Sequence, residues 1–223
     1  MLSDERIHKH NIEISHTDIF SKIYRQKIWG NGVRAPLSGS GSKVNYNQKY
    51  IKFLTHFIKE NKIKGVLDIG CGDWTFSKTI NYQNMIEKYL GIDCVPLVID
   101  YNQNKYGSDT IEFKCLDCRE NDIVENLDKT SKYDLVILKD ILQHWSNIEI
   151  IHFLNRLTKC KFKYILIING KNIKEGEIRD VNNKYSYANL RADLYPLKLF
   201  KPIPLFNYQY KQVCLIKKMP PCP

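Results

Sequence analysis

Two sets of residues in this 223-residue chain have the types and spacing to do chemistry at strand ends. In the first, an apolar segment that contains Asp68 runs into Gly70 and Gly72, which exposes main chain to a ligand above the strand. In the second, Asp140 and His144 follow another apolar segment, and a helix there would place both side chains on one face. Histidine accepts a proton near neutral pH, and Asp140 could orient the ring or take the proton itself. We predict His144 as a general base, with a packing role as the equal alternative.

Two more acids end predicted strands. Asp93 follows the apolar segment after the glycine turn, and Asp117 follows the next one. A carboxylate at the tip of the second strand of a βαβ unit can accept hydrogen bonds from both hydroxyls of a ribose, which predicts a nucleotide-like ligand at Asp93. A dinucleotide loop would need a third glycine where this chain has Thr75, and this disfavours NAD.

The elements that must position these residues alternate along the chain. Apolar segments separated by helix-forming segments predict an α/β fold, whose parallel strands are covered on both faces. We expect strands at 66–69, 89–93, 111–118, 133–140, 163–169 and 210–216, and helices within 1–28 and at 47–62, 73–80, 96–105, 121–127 and 147–160. The chain divides into an N-terminal helix and Gly/Ser lid segment (1–46), a single domain (47–218) with an acceptor-recognition insertion (170–205), and a disordered tail (219–223). The Gly/Ser segment fits a flexible linker equally well.

Composition restricts the partners. The formal net charge of +10 favours anionic partners, although no segment gathers the arginines and aromatics of a nucleic-acid platform. Seven cysteines give no disulfide framework, and the lone pair Cys115 and Cys118 predicts no zinc site. His8, His10 and His16 fit solvated surface better than a metal site, so we expect no metal. No apolar segment has membrane-spanning length, and we expect a soluble, cytoplasmic protein with no membrane partner.

The form Asp-x-Gly-x-Gly after an apolar strand resembles motif I of the class I S-adenosylmethionine-dependent methyltransferases. The resemblance implies a Rossmann-like α/β fold with a mainly parallel sheet of seven or six strands, the last strand antiparallel, and S-adenosyl-L-methionine as the cofactor. It also implies that Asp93 binds the ribose and Asp117 the exocyclic amine of the adenine. The full predicted set of cofactor contacts is Trp29, Asp68, Gly70, Gly72, Asp73, Trp74, Asp93, Asp117 and Lys139, although Lys139 also fits a solvated position.

A narrower resemblance covers nearly the whole chain. Tyr24, the pair Trp29-Gly30 and the segment Ser38-Gly39-Ser40-Gly41-Ser42 precede a Cys-Gly-Asp-aromatic loop at 71–74. This order is similar to that of a small, mostly bacterial group of class I methyltransferases with no firmly established substrate. Members of that group also have Asp-x-x-x-His after the fourth strand and an Asn…Arg-x-x-x-Leu tail. The chain departs from them at 69–70, where isoleucine and glycine replace the alanine and proline of many members.

Together these features predict transfer of a methyl group to an oxygen, or less readily a nitrogen, of a small acceptor, with a sugar or glycan hydroxyl preferred. Trp145, Tyr185 and Arg191 are the predicted acceptor contacts, and Trp145 fits a rim-covering role as well. The +10 charge makes an RNA methyltransferase the first alternative. A non-catalytic subunit that keeps the cofactor fold is the second. The sequence predicts no oligomeric state.

Overall fold

A computed structural model describes residues 15–30, 37–120, 122–130, 132–171 and 190–217. The described strands are β1 (Gly65–Ile69), β2 (Lys88–Asp93), β3 (Ile111–Cys115), β4 (Leu135–Lys139), β5 (Tyr164–Gly170), β6 (Ile203–Tyr208) and β7 (Lys211–Lys217). The described α-helices are α1 (His16–Arg25), α2 (Val44–Glu60), α3 (Pro96–Tyr106), α4 (Ile123–Lys129) and α5 (Asn147–Leu157). No helix among these residues is long and apolar enough to cross a bilayer.

The strands form one sheet in the order β3-β2-β1-β4-β5-β7-β6. Strands β1 to β5 pair in parallel, and β7 inserts antiparallel between β5 and β6. This topology confirms the predicted Rossmann-like α/β fold, with seven strands rather than six. In such a sheet the carboxyl ends of β1 to β5 share one edge, and the start of β7 reaches the same edge from the opposite direction.

Apolar side chains on both faces of the sheet explain why the parallel strands are so uniformly hydrophobic. All five residues of β1 and of β4 are buried. One face packs against α2 and the other against α4 and α5, in two separate hydrophobic clusters. Strands covered on both faces have no solvent side, and the alternation of polar and apolar residues is therefore lost.

The predicted first crossover helix at 73–80 is wrong. Between β1 and β2 the described chain instead forms two short 3-10 turns, Ser77–Thr79 and Tyr82–Asn84. Trp74 adopts a left-handed backbone conformation with φ of 56°, which an α-helix cannot include. Helix α2 covers this part of the sheet, and its Tyr50 ring meets the Phe76 ring edge-on at 5.9 Å.

A predicted helix running on from Asp140 is also absent. Asp140 has φ of 61°, and a 3-10 turn follows at Leu142–His144 before α5 starts at Asn147. Ser146 and Glu149 form a capping box at that start, which is why the helix begins there and not earlier. The four-residue spacing of Asp140 and His144 therefore does not place them on one helix face.

The segments outside the sheet are described in part. Helix α1 lies within the predicted 1–28 range, and residues 1–14 fall outside the described residues. Of the predicted insertion at 170–205, residues 172–189 are not described, and its final residues begin β6 at Ile203. The predicted tail at 219–223 also lies outside them.

Candidate cofactor site

A cavity of about 440 Å³ lies at the carboxyl edge of the sheet. It is bounded by the ends of β1, β2 and β4, by the chain after β3, and by α1 together with the Gly/Ser segment at 38–42. The predicted site residues that line it are Trp29, Asp68, Gly70, Gly72, Asp93, Asp117, Lys139, Asp140, His144 and Trp145. The fold therefore brings ten of the fourteen predicted residues to one cavity.

The glycine loop is fixed by a second segment that packs onto it. Gly72 has φ of 57°, and a Cβ there would lie 2.5 Å from Ser38 Oγ and 3.3 Å from Tyr24 OH. The amide of Asp73 donates to Ser38 Oγ at 2.8 Å, and the amide of Ser38 donates to Asp73 Oδ2 at 3.2 Å. Tyr24 OH and Ser38 Oγ are 2.7 Å apart. Glycine at 72 thus makes room for the Gly/Ser segment, which covers the loop closely in this structure.

Asp93 is built into the end of β2 as a preorganised acceptor. Its Oδ2 accepts the Gly72 amide at 3.1 Å and its Oδ1 accepts the Val95 amide at 3.1 Å. Burial raises the pKa of the Asp93 carboxyl to about 6. Asn102 Nδ2 donates to the Gly72 carbonyl at 2.7 Å, which holds the same loop from α3. The geometry suits a carboxylate that receives further hydrogen bonds from a ligand in the cavity.

Asp117 lies at the β3 end of the cavity and is held by Arg119. Arg119 Nε donates to Asp117 Oδ1 at 2.9 Å, and Arg119 Nη2 donates to Asp117 Oδ2. Burial opposes ionisation of Asp117, but these bonds outweigh it and hold the pKa below its usual range. Arg119 Nη1 also donates a hydrogen bond to Glu149 Oε1 at 3.2 Å, and His16 Nε2 lies 3.6 Å from the same oxygen. Neither Arg119 nor His16 was predicted here; an arginine two residues after a strand-end acid was the available signal.

At the other end of the cavity, two lysines meet one carboxylate. Lys139 Nζ donates to Asp140 Oδ2 at 2.7 Å, and Lys211 Nζ donates to the same oxygen. The Lys139 and Lys211 side chains are only 6% and 3% exposed, so a solvated position for Lys139 is wrong. Burial opposes ionisation of Asp140, yet the two ammonium groups hold its pKa below the usual range, which makes it a poor base. Burial and the nearby Lys139 lower the pKa of Lys211 to about 7.

His144 belongs to an aromatic wall and not to a pair with Asp140. Its ring stacks on Trp29 with centroids 5.3 Å apart and meets Phe20 edge-on at 5.5 Å. Trp145 is buried and meets Phe153 edge-on at 5.0 Å, while the Arg119 guanidinium lies 6.0 Å from its ring. Trp145 therefore lines the cavity as a buried ring beside Arg119, and its predicted acceptor contact stays a prediction.

Two predicted cofactor contacts point away from the cavity. Trp74 is buried in the core, and its Nε1 donates to Tyr89 OH at 2.7 Å. Tyr89 OH in turn donates to Asp68 Oδ2 at 2.6 Å, and burial raises the pKa of Asp68 to about 6. The Asp73 carboxylate accepts hydrogen bonds from the amides of Ser38 and Thr75. Both residues hold the loop in place and do not line the space that it encloses.

The remaining predicted acceptor contacts are not brought to the cavity. Arg191 forms an exposed ion pair with Asp193 and does not line it. Tyr185 lies outside the described residues. Within the described residues, no cluster of three or more His, Cys, Asp or Glu side chains could hold a metal ion.

Comparison with known proteins first gives the class. Residues 67–160 match the family described as methyltransferase domain. This stretch runs from β1 to the end of α5 and includes Asp68, the glycine loop, Asp93, Asp117, Asp140 and His144. Residues 67–160 are thus similar to a methyltransferase domain, and they lie within a sheet that has the Rossmann-like class I topology.

The chain is similar to a curated O-methyltransferase in sequence and to two solved methyltransferases in structure. A malonyl-[acyl-carrier protein] O-methyltransferase from Acetivibrio thermocellus is 32% identical over 82 residues, which are 37% of this chain and 26% of that protein. The chain thus spans about a quarter of that relative's length. The N-methyltransferase NodS from Bradyrhizobium japonicum, solved with S-adenosylhomocysteine, has a TM-score of 0.58 at 8% identity, covering 89% of this chain and 97% of NodS. Magnesium protoporphyrin IX methyltransferase from Synechocystis has a TM-score of 0.57 at 14% identity, covering 89% of this chain and 95% of that one. The two structures establish a shared fold.

Proposed function

We propose that this protein transfers a methyl group from S-adenosylmethionine to an oxygen of a small acceptor. The observation that carries the proposal is the order of groups along the cavity: Asp117 after β3, Asp93 after β2, the glycine loop after β1, and Lys139 and Asp140 at the end of β4. Neighbouring strands lie about 4.8 Å apart, so these four strand ends span roughly 14 Å, enough for an extended adenosyl-methionine.

Each end of this row suits a different part of the cofactor. The Asp93 carboxylate, already positioned by two amides, accepts the ribose hydroxyls, and Asp117 accepts the adenine amine. Both roles remain predictions from the family resemblance that fit the geometry. The aromatic wall formed by Phe20, Trp29 and His144 covers the cavity from the side of α1. Such a wall would exclude water from the sulfonium and align the in-line displacement, which is most of what a methyltransferase must do.

The relatives and the charge of the chain bear on which atom and which class of acceptor receives the methyl group. The matched O-methyltransferase supports oxygen, and the fold shared with an N-methyltransferase keeps nitrogen as the alternative atom. A sugar or glycan hydroxyl remains the predicted acceptor, with His144 as its predicted base. The +10 charge supports RNA as the alternative acceptor, and RNA binding would weaken steeply as salt is raised.

Calorimetric titration with S-adenosylhomocysteine and, in parallel, with NADH tests the proposal. We expect S-adenosylhomocysteine alone to bind. Asp93→Ala should weaken that binding about 10- to 100-fold, or about 1.5 to 3 kcal/mol, because two charge-assisted hydrogen bonds are lost. His144→Ala should reduce turnover once an acceptor is identified, and it should change the affinity far less than Asp93→Ala does, because His144 contributes only to the aromatic wall of the cavity.

Asp100→Ala is the matched control, since Asp100 is an exposed acid on α3, just beyond Asp93. It should leave the affinity as it is. An Asp93→Ala protein that binds S-adenosylhomocysteine as tightly as the wild type would refute the ribose role. If neither ligand binds the wild-type protein, the non-catalytic subunit becomes the better interpretation.

A further inference from the structure

The meeting of Lys139, Asp140 and Lys211, here called the lysine-aspartate cluster, has a charge imbalance. Both lysines donate to one carboxylate oxygen, and with all three groups ionised the cluster carries a net charge of +1. Within the described residues, the salt bridges of both lysines are made with Asp140 and with no second acid. A buried charge without a partner is costly, so an anion that reaches the cluster would stabilise both lysines in their charged form.

The cluster also has free bonding capacity on the cavity side. The Gly41 carbonyl accepts Lys139 Nζ at 3.3 Å and Lys211 Nζ at 3.5 Å, while Asn47 Nδ2 holds the same oxygen at 2.8 Å. Each ammonium therefore donates to two oxygens among the described residues, out of the three N–H groups that it has, and Lys139 Nζ also lies 4.7 Å from the centroid of the Phe76 ring. Asp140 receives both lysines on Oδ2, which leaves Oδ1 as an acceptor in a side chain that is 23% exposed.

The missing side chain of Gly41 keeps access to the cluster open. A Cβ at this position would lie 2.9 Å from Lys211 Nζ and 3.5 Å from Asp140 Oδ2. Gly41 belongs to the same short segment whose Ser38 packs on the glycine loop, so the segment spans from that loop to the cluster. A ligand held against the glycine loop is therefore directed towards the cluster.

We propose that the lysine-aspartate cluster binds the amino-acid end of S-adenosylmethionine, with Lys139 and Lys211 holding the α-carboxylate and Asp140 Oδ1 the α-ammonium. The inference rests on the proposed function. Two cations and one anion in contact complement a zwitterion, because the ligand's carboxylate removes the charge imbalance while its ammonium uses the open carboxylate oxygen. The cluster and Asp117 line the same cavity at the ends of β4 and β3, which are three strand spacings apart in the sheet.

This assignment changes the role predicted for Asp140. A carboxylate that bridges two lysines and receives the cofactor's ammonium positions the cofactor and does not take the acceptor's proton. Lys211, far from the glycine loop in sequence, becomes a cofactor-binding residue.

Two probes that differ only in the amino-acid portion test the proposal by calorimetry. S-adenosylhomocysteine has that portion, whereas 5′-methylthioadenosine has a methyl group in its place and keeps the adenosine and the thioether. Lys211→Met should weaken S-adenosylhomocysteine binding about 10- to 100-fold and change 5′-methylthioadenosine binding less than about twofold. Lys211→Arg, which keeps the charge, should retain part of the lost affinity.

Lys163→Met is the control, because Lys163 also pairs with an aspartate, Asp134 at 2.7 Å, but at the opposite edge of the sheet. It should alter the binding of neither probe. If Lys211→Met weakens both probes equally, the cluster maintains the cavity as a whole and the proposal is wrong. If it weakens neither, the cluster does not bind the cofactor.

An unfolded variant and a wild-type protein without affinity for either probe are two separate outcomes. If Lys211→Met does not fold, as judged by circular dichroism, Lys139→Met and Asp140→Asn are tested with the same pair of probes and the same expected difference. If the wild-type protein binds neither probe, the proposed function fails. If the wild-type protein binds S-adenosylhomocysteine and the variant binds it equally well, only the role of the lysine-aspartate cluster fails.

Discussion

The two ends of the cavity are built in different ways. At the end that we propose binds adenosine, called here the adenosine end, Asp93 and Asp117 each follow their own strand, and the groups that fix them lie within a few residues or on the next helix. At the opposite end, Gly41, Asp140 and Lys211 come from three distant parts of the chain. They meet because β7 inserts antiparallel beside β5, which brings the start of β7 to the end of β4. The first end depends on local sequence, and the second depends on topology.

The largest expected difference between the two kinds of construction is in stability. Asp140→Ala should lower the free energy of unfolding by about 3 to 5 kcal/mol, because it leaves two buried ammonium groups without their counter-charge. Loss of the Lys211 proton, favoured by its pKa of about 7, limits the cost. Urea denaturation at pH 7 measures the change.

Asp193→Ala provides the comparison. It breaks the Asp193 pair with Arg191, whose two side chains are 56% and 42% exposed. Exposed pairs of this kind contribute about 0 to 1 kcal/mol. Equal losses of unfolding free energy in the two variants would show that the lysine-aspartate cluster contributes no more to stability than an exposed ion pair does.

A second prediction concerns Asp68, which lies between the two ends. Its carboxyl is 5% exposed and has a pKa raised to about 6 by burial, whereas an unfolded aspartate titrates near 3.9. The folded state therefore binds the proton more tightly, and stability falls as pH rises from about 4 to about 6. Over that window the loss is up to about 3 kcal/mol.

Asp68→Asn should remove this part of the pH dependence and make the protein more stable than the wild type at pH 7. The amide oxygen can still accept the hydroxyl of Tyr89, so the hydrogen bond is kept. Denaturation at pH 4.5 and pH 7 measures the difference. Parallel pH profiles of wild type and variant would contradict the assignment of the proton to Asp68.

The sequence predicted the sheet well because its signals are local. Buried strands are continuous apolar segments, and Pro96 at the first turn of α3 marks where that helix begins. Asp93, Asp117 and the glycine loop followed from the same strand-end pattern. The helix expected at 73–80 is wrong, and the helix considered from residue 141 does not form, because Trp74 and Asp140 take left-handed backbone conformations. Residue type gives little warning of this in a tryptophan.

The contacts that complete the site could not be predicted for a different reason. Lys211 resembles any other lysine in a lysine-rich chain until β7 is placed beside β5. Ser38 and Gly41 were identified as part of a Gly/Ser segment, but a linker and a lid have the same composition. The structure adds the hydrogen bond from the amide of Asp73 to Ser38 Oγ, a contact that spans 35 residues of sequence and that composition cannot reveal.

The smallest expected effect concerns how α1 is attached at the adenosine end. His16 Nε2 lies 3.6 Å from Glu149 Oε1, an oxygen that also accepts Arg119 Nη1. In a double-mutant cycle of His16→Gln and Glu149→Gln, glutamine at 149 preserves the capping box but removes the charge. The coupling energy should be about 0.5 kcal/mol at pH 5.5 and close to zero at pH 8, since only a protonated histidine attracts the carboxylate.

Ser146→Ala is the reference for this cycle, because it breaks the cap of α5 and leaves the charges of His16, Arg119 and Glu149 in place. Its cost of about 1 kcal/mol should be the same at both pH values. A coupling that does not change with pH would mean that α1 is held over the adenosine end by packing of Ile19, Ile23 and Tyr24 alone. A coupling that disappears at high pH would mean that the attachment of α1 at the adenosine end responds to protonation. The Gly/Ser cover at the opposite end would then differ from it, because it is tied to the glycine loop by Ser38 and Asp73.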